Sequence, residues 1–466
     1  MNFLHGVEVI ELDGGARPIQ GVSSSIIGLV GTASKGPVNQ PVLIGGSRKK
    51  ALDIFGAPDG VSTLPDALDG IFDQTGAIVV VVNVAEREEQ TDVTVTLVDG
   101  KAVISELQDA KENDRYFIPV ISSIVYETDG GQKENLILNE HVSYDVNSHE
   151  LSLVKNSDKE IPANATLTVS YELADPETVT DADYQTGIQA LLAAENEVHV
   201  APRILVAPGR SHQKAVADEL VQVAERLRAI AIAECPETDD ENNPHKAAMD
   251  YRKDFGSARL YLIDPAVKVY DGATDSVQTQ PASARIAGVI AKSDTERGFW
   301  YSPSNRPIAG INATARAIDF ALGDRASSAN RLNEQDVATI IRQDGYRLWG
   351  NRSCSADPKW QFISVRRTAD LINDALQRAH MWAVDRNITK TYVEDVTEGV
   401  NAYLRHLKAI GAIINGKCWA DPALNTPDQI MQGKVTFDFD FVPPYPAEHI
   451  TFRSSLNNKY LEEVFA

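Results

Sequence analysis

The chain has 466 residues, a hydrophobic share of 43% and a charged share of 24%. These are the proportions of folded soluble domains, which excludes a disordered, collagenous or coiled-coil chain and predicts roughly three domains of ~150 residues. A formal charge of −22 repels phosphate backbones and anionic bilayers, so no nucleic-acid binding is expected.

The longest apolar run, residues 77–82, is far short of the ~20 residues of a membrane helix, so no membrane insertion is expected. The opening Met1-Asn2-Phe3-Leu4-His5-Gly6 has no basic region before an apolar stretch, so no secretory signal is read there. Cys235, Cys354 and Cys418 are odd in number and widely spaced, with no CxxC. They are expected as buried free thiols, which suits folding in a reducing cytoplasm.

In chain order, Gly6-Val7-Glu8-Val9-Ile10-Glu11-Leu12 reads as a strand that Gly14-Gly15 isolates, so residues 1–20 form a strand arm. Residues 26–30 and 77–82 are short β-branched runs, as in strands covered on both faces, and 21–85 open an α/β core. Residues 86–177 change texture: twenty Asp and Glu face seven Lys and Arg, a charge of −13. Val93-Thr94-Val95-Thr96-Leu97-Val98 and Ala165-Thr166-Leu167-Thr168-Val169-Ser170-Tyr171 alternate apolar with polar. Asp129-Gly130-Gly131 and Asn147-Ser148 between them are turn chemistry. That predicts an inserted all-β domain with one wet face.

Strands at 203–207, 230–233 and 260–263 then alternate with helical patterns at Val216, Leu220, Val223, Leu227 and near 246–253. Residues 178–345 thus continue the interrupted α/β core. Residues 346–432 are helical. Leu371, Ile372, Ala375, Leu376, Ala379 and Ala383 make one apolar stripe. Thr391 and Glu394, at capping-box spacing, open a helix that carries Val393, Val396, Val400, Tyr403, Leu404 and Leu407. In 433–466, Val435, Phe437, Phe439 and Phe441 alternate strictly with polar residues. Val442-Pro443-Pro444-Tyr445-Pro446 follows, then a short strand at 449–453 with Ile450 and Phe452. No repeat of fixed period is present.

Chemical motifs are weak throughout. Gly28, Gly31 and Gly36 fit neither G-x-G-x-x-G nor G-x-x-x-x-G-K-[ST], and Pro37 lacks a donor where a phosphate would need one, so a plain turn is favoured. Asp254-Phe255-Gly256 spells a kinase tripeptide without the catalytic loop before it. Ser211-His212 reads as a helix N-cap beside a solvated imidazole, and no G-x-S-x-G elbow exists. The histidines and cysteines lack metal-ligand spacing, and Glu237-Thr238-Asp239-Asp240-Glu241 reads as a solvated acidic loop. No catalytic group, metal or cofactor is expected.

The termini stand out instead. A row of phenylalanines on an open strand invites pairing. Val7, Val9, Ile10, Leu12, Val435, Phe437, Phe439, Phe441, Ile450 and Phe452 either complete the chain's own sheets or pair with other subunits by strand addition.

Gly6-Val7-Glu8-Val9, residues 27–37, Ser302-Pro303-Ser304-Asn305-Arg306-Pro307-Ile308 and Leu348-Trp349-Gly350-Asn351-Arg352 resemble motifs of contractile-tail sheath proteins, in that family's order. So do residues 357–367 and Pro446-Ala447-Glu448-His449-Ile450. These proteins sleeve phage tails, R-type bacteriocins and related injection machines. The resemblance spans nearly the whole chain except 86–177. It implies a subtilisin-like core without the protease, and arms that donate strands to neighbours. It also implies a homopolymer of stacked hexameric rings around an inner tube, which contracts to drive that tube through a target envelope. Implied partners are the tube, baseplate and tail-terminator proteins. The implied place is the virion tail, assembled in the bacterial cytoplasm.

Within that frame Gly14, Gly15, Pro443 and Pro444 are expected as hinges, and the acidic 86–177 as outward-facing. Arg366, Arg367, Arg378, Lys408 and Lys417 are candidates to face an acidic tube. A subtilisin-like or nucleotide-using α/β enzyme with a β accessory domain is the alternative. A tail-tube protein is disfavoured, because tube subunits are small and β-rich.

Overall fold

The computed structural model describes residues 19–465 apart from 20, 22, 59–60, 86–90, 106–117, 128–131, 146–147, 155–158, 160, 175–178, 239, 241–242 and 272–274. The strand expected at residues 6–12, with Val7, Val9, Ile10, Leu12, Gly14 and Gly15, lies outside the described residues.

The chain is mixed α/β with several sheets. The largest has eight strands, in the order Tyr346–Trp349, Val337–Arg342, Leu260–Ile263, Ile230–Glu234, Ile204–Val206, Ile27–Gly31, Ile78–Asn83 and Val42–Gly45. The inner six run parallel, and the two edges are antiparallel. Period-two geometry explains the continuous apolar runs. Ile27, Leu29, Val79, Val81, Ile204 and Ile230 pack under helices Thr63–Phe72 and Ser283–Arg297. Val30, Val80, Val82, Leu205 and Ala231 face the opposite core, under helices Asp181–Ala190 and Lys214–Leu227. Gly187 lets the first of these approach closely: a Cβ there would lie 2.2 Å from Val84 Cγ1.

After Ile27–Gly31 the chain runs to Val42–Gly45 without an intervening helix, so no helix N-terminus faces the glycines. A Cβ on Gly31 would meet Thr63 Oγ1 at 2.4 Å, and Gly36 has φ 101°, so these glycines serve packing and a turn.

Between Thr91 and Ala174, seven strands form two antiparallel sheets with their own cluster around Leu97, Leu151 and Leu167. The alternating segments pair with each other, Thr166 opposite Thr96 and Tyr171 opposite Thr91.

The last third carries helices Ile363–Ala379 and Lys390–Ala409 and a two-stranded sheet of Asn415–Trp419 with Asp438–Val442. Three local expectations are corrected. The cap of Lys390–Ala409 is Thr389, whose hydroxyl accepts from the Tyr392 N–H, because Thr389 holds the extended backbone a cap requires; Thr391 lies inside the first turn. Ser211 is not a cap: helix Lys214–Leu227 starts later, and the buried Ser211 hydroxyl goes to Glu234. Residues 449–453 form no strand, because no second strand lies beside them to make a ladder.

Candidate assembly surfaces

Strand Asp438–Val442 pairs antiparallel with Asn415–Trp419, Phe439 opposite Cys418. On the far side of Asn415–Trp419, Asn401 accepts from the Cys418 N–H at 2.8 Å and donates to its carbonyl at 3.0 Å. Among the described residues the sheet has two strands, so the outer edge of Asp438–Val442 has no strand beside it. Phe437, Phe439 and Phe441 turn inward, half-buried against a cluster that includes Ile372, Val400, Leu404 and Ile413. The Phe439 and Phe441 rings stack at 6.0 Å between centroids. Beside them lies an apolar cavity of about 320 Å³, lined by Leu376, Val396, Val400, Val435, Phe437 and Phe439. An edge strand beside an apolar hollow is a feature onto which a further strand can pair.

The C-terminal tail is tied to its own chain as far as Glu448. Pro443 is buried, Tyr445 stacks edge-on to Phe362, and Arg352 grips Glu448 with Nε–Oε1 at 2.8 Å and Nη2–Oε2 at 2.5 Å. The tail therefore leaves the body after Glu448 and not at Pro443 and Pro444, where a hinge was expected. Beyond that point apolar groups stand in solvent: Ile450, Phe452 and Leu456 are 65%, 92% and 99% exposed.

A charged seam joins the last third to the eight-stranded sheet. Arg203, Arg228 and Arg259 stand at the amino ends of three adjacent strands, Ile204–Val206, Ile230–Glu234 and Leu260–Ile263. Helix Ile363–Ala379 meets them with Asp370 and Asp374, one turn apart on the same face. Arg259 takes Asp370 in a fork of 2.5 and 2.9 Å, and Arg366 adds a third bond at 2.8 Å. Arg203 and Arg378 share Asp374 at 2.5 and 3.0 Å. Arg367 grips Asp294 and donates to the Ser24 carbonyl at 3.1 Å.

This seam removes part of the candidate tube-facing set. Arg367 is 4% exposed and committed to Asp294, so it faces no partner. Arg366 lies over the Trp360 ring and binds Asp370; Arg378 bridges Asp374 and Glu195. Lys408 and Lys417 are exposed. Residues 355–466 hold twelve basic against fourteen acidic residues, so this third is nearly neutral and not basic.

A polar crevice of about 560 Å³ lies at the carboxyl ends of the parallel strands, where α/β enzymes place their sites. Its buried carboxylates, Glu234 and Asp264, are already engaged. The buried Glu234 carboxylate accepts from Ser211 Oγ and from the Ser283 N–H at 3.3 Å, which caps helix Ser283–Arg297. Burial raises the Glu234 pKa. Asp264 pairs with Arg316, yet burial outweighs that partner and pushes its carboxyl up to about 6. Burial lowers the His212 imidazole, and the neighbouring serine points to Glu234 instead. The acidic loop retains Glu237 on the crevice wall; Asp239 and Glu241 lie outside the described residues. Cys235, Cys354 and Cys418 are buried free thiols. The seam and the crevice both escaped sequence reading, because their partners are far apart in the chain.

Comparison with known proteins assigns the family. Residues 177–354 match the phage tail sheath protein central domain, and 355–457 the phage tail sheath C-terminal domain. Residues 24–84 match the tail sheath protein Gp18 domain III N-terminal region. A putative prophage major tail sheath protein of Pseudomonas aeruginosa is 39% identical over 100% of this chain and 99% of its own length. The tail sheath protein of Escherichia phage P2 is 31% identical, covering 99% of this chain and 97% of its own. In fold, the chain is similar to the contracted helical sheath of the anti-feeding prophage, with a TM-score of 0.60 at 17% identity over 98% of this chain and all (100%) of the other. The contracted sheath of an extracellular contractile injection system, PVC, has a TM-score of 0.60 at 15% identity, over 98% and 99%. These relatives are structural proteins, and the chain belongs to the contractile tail sheath family as a structural sheath subunit, not an enzyme.

Proposed function

We propose that this subunit polymerises with copies of itself into stacked hexameric rings around an inner tube, and that the assembled sleeve shortens to drive the tube through a target envelope. The observation that carries this reading is the open edge of Asp438–Val442 above an apolar hollow, together with the exposed Ile450, Phe452 and Leu456 on the same chain. Among the described residues, one chain thus carries both an edge without a strand beside it and an exposed apolar segment. Such a heterologous contact generates a closed ring or an open filament, according to the rotation between neighbours. Related sheaths described in a contracted state, and a related baseplate described as six-fold symmetrised, support the ring and the contraction.

The finer architecture belongs to the same proposal. Residues 21–85 and 178–345 form a subtilisin-like core without its protease, interrupted by an inserted β domain at 86–177. Residues 346–432 and 433–466 form the helical sheath domain and the C-terminal arm. The insert faces outward, because its −13 charge would repel itself around a narrow axis. Residues 1–20 are an arm given to a neighbour, with Gly14 and Gly15 as its swivel. Arg378, Lys408 and Lys417 are the remaining candidates for the tube side, and tube, baseplate and terminator proteins are the partners. The particle is assembled in the host cytoplasm and resides in the tail.

Deleting residues 1–12 tests this reading: subunits should fold yet fail to form long sheaths in negative stain. Full-length sheaths that contract from the truncated chain would sink strand donation as the coupling.

A further inference from the structure

Ser24 lies three residues before Ile27–Gly31, an inner strand of the eight-stranded sheet. Upstream, Ile19 packs against the C-terminal cluster of Leu404, Leu407 and Ile413. Ile19 and Ser24 therefore both lie at the joint between the α/β core and the last third. Arg367 sits at that joint. Its two Nη groups bind the Asp294 carboxylate, on the helix Ser283–Arg297, and one of them also donates to the Ser24 carbonyl at 3.1 Å. Both side chains are almost fully buried, at 4% and 2% exposure. One guanidinium thus ties together three separate pieces of the chain: the segment root, the core helix and the helix Ile363–Ala379.

We propose that Arg367 is a positioning residue for assembly: it clamps the root of the N-terminal arm to the joint, so that a pull on the arm is delivered to two helices as well as to the first strand. This rests on the reading of residues 1–20 as a donated arm. The planar fork suits the task. It presents several N–H donors in fixed directions, enough for a bidentate carboxylate and a carbonyl at once. An ion pair needed only for stability would not have to include the Ser24 carbonyl. Without the clamp, load falls on the ladder of Ile27–Gly31.

Two full-length variants test the clamp. Arg367→Met with Asp294→Leu replaces a buried ion pair by apolar groups of similar size, a change that is often neutral for stability. Arg367→Lys keeps a cation opposite Asp294 but lacks the fork that also reaches Ser24. Both should melt near the wild type. In both, hydrogen exchange of peptides covering residues 19–26 should rise about tenfold or more, and sheaths in negative stain should be short or absent. Wild-type exchange at 19–26 with full-length sheaths, in either variant, overturns the proposal. If the double variant fails to fold, the lysine variant alone decides. Normal sheaths from the 1–12 deletion would remove the donated-arm reading, whereas the exchange rate at 19–26 would still report on the clamp.

Discussion

Arg259 and Asp370 lie 111 residues apart and meet through two hydrogen bonds, of 2.5 and 2.9 Å, with both side chains under 10% exposed. The pair closes the contact between the parallel sheet and the C-terminal helix, and its burial sets the cost of breaking it. Asp370→Ala leaves Arg259 with Glu225 and the Ala229 carbonyl but without its buried carboxylate, which costs roughly 1–3 kcal/mol. Chemical denaturation should show that loss. Arg259→Met combined with Asp370→Leu should recover most of it, and a double variant as unstable as the single would contradict the ion-pair account.

Asp264 supplies a pH test with a definite sign. Its folded-state pKa of about 6 lies above the ordinary 3.8, so between these values the folded chain binds a proton that the unfolded chain releases. Stability from this group therefore grows as pH falls from 7 through 6 towards 4, and is lost as pH rises again. Arg316 opposes the shift, and Glu237 adds to it. At pH 7 the penalty is on the order of 2–3 kcal/mol. The advantage of Asp264→Asn over the wild type should shrink between pH 7 and 4.5 in matched melts. Parallel curves would count against a raised pKa.

Phe439 links stability to assembly. It is half-buried between the stacked Phe441 and the apolar hollow. Phe439→Ala should cost about 1 kcal/mol, in proportion to its half burial, and remove the contact on which an incoming strand would rest. Monomer melts measure the first effect, and sheath length in micrographs the second. A destabilised variant that still builds normal sheaths would detach the phenylalanine row from assembly.

Lys408 and Lys417 are cleaner probes of tube docking than Arg378, whose reversal would also break its bonds to Asp374 and Glu195. Lys408→Glu with Lys417→Gln should leave the melt within about 0.5 kcal/mol, because glutamine opposite Asp440 sets no like charge against it. Co-sedimentation with tubes should weaken, and more so at low salt. Unchanged co-sedimentation removes both residues from the docking surface.

Residues 86–177 should be dispensable for polymer growth. A short Gly/Ser linker in their place should give folded subunits that still form sheaths, narrower in cross-section. Folded subunits with no polymer at all would assign the segment an assembly role.

What the sequence reveals here follows from range. The strands at Ile204–Val206, Ile230–Glu234 and Leu260–Ile263 were legible because period-two burial is local. Thr389 was missed by two residues, since Thr391 and Glu394 copy the capping spacing and only backbone geometry separates them. Arg367 read as a surface cation because most arginines are, and nothing local announces Asp294, 73 residues away. The phenylalanine row was visible as an edge, yet its pairing with Asn415–Trp419 depends on a turn of the chain that no short pattern encodes. The tail at 449–453 has strand-like alternation without a partner, and alternation alone cannot supply one.

The placement of Arg203, Arg228 and Arg259 makes the seam a gauge of sheet register. Arg203 and Arg259 extend the ladders of their strands by backbone hydrogen bonds, so a slip of one residue would turn their side chains to the opposite face. Asp370 and Asp374, one turn apart, would then lose Arg259 and Arg203 and keep Arg366 and Arg378 of their own helix. Helix Ile363–Ala379 docks only on a sheet that has paired correctly, and its Ile372 and Ala375 join the cluster that supports Phe437, Phe439 and Phe441. Subunits with a misaligned sheet are thereby denied the surface that would carry their error into a filament.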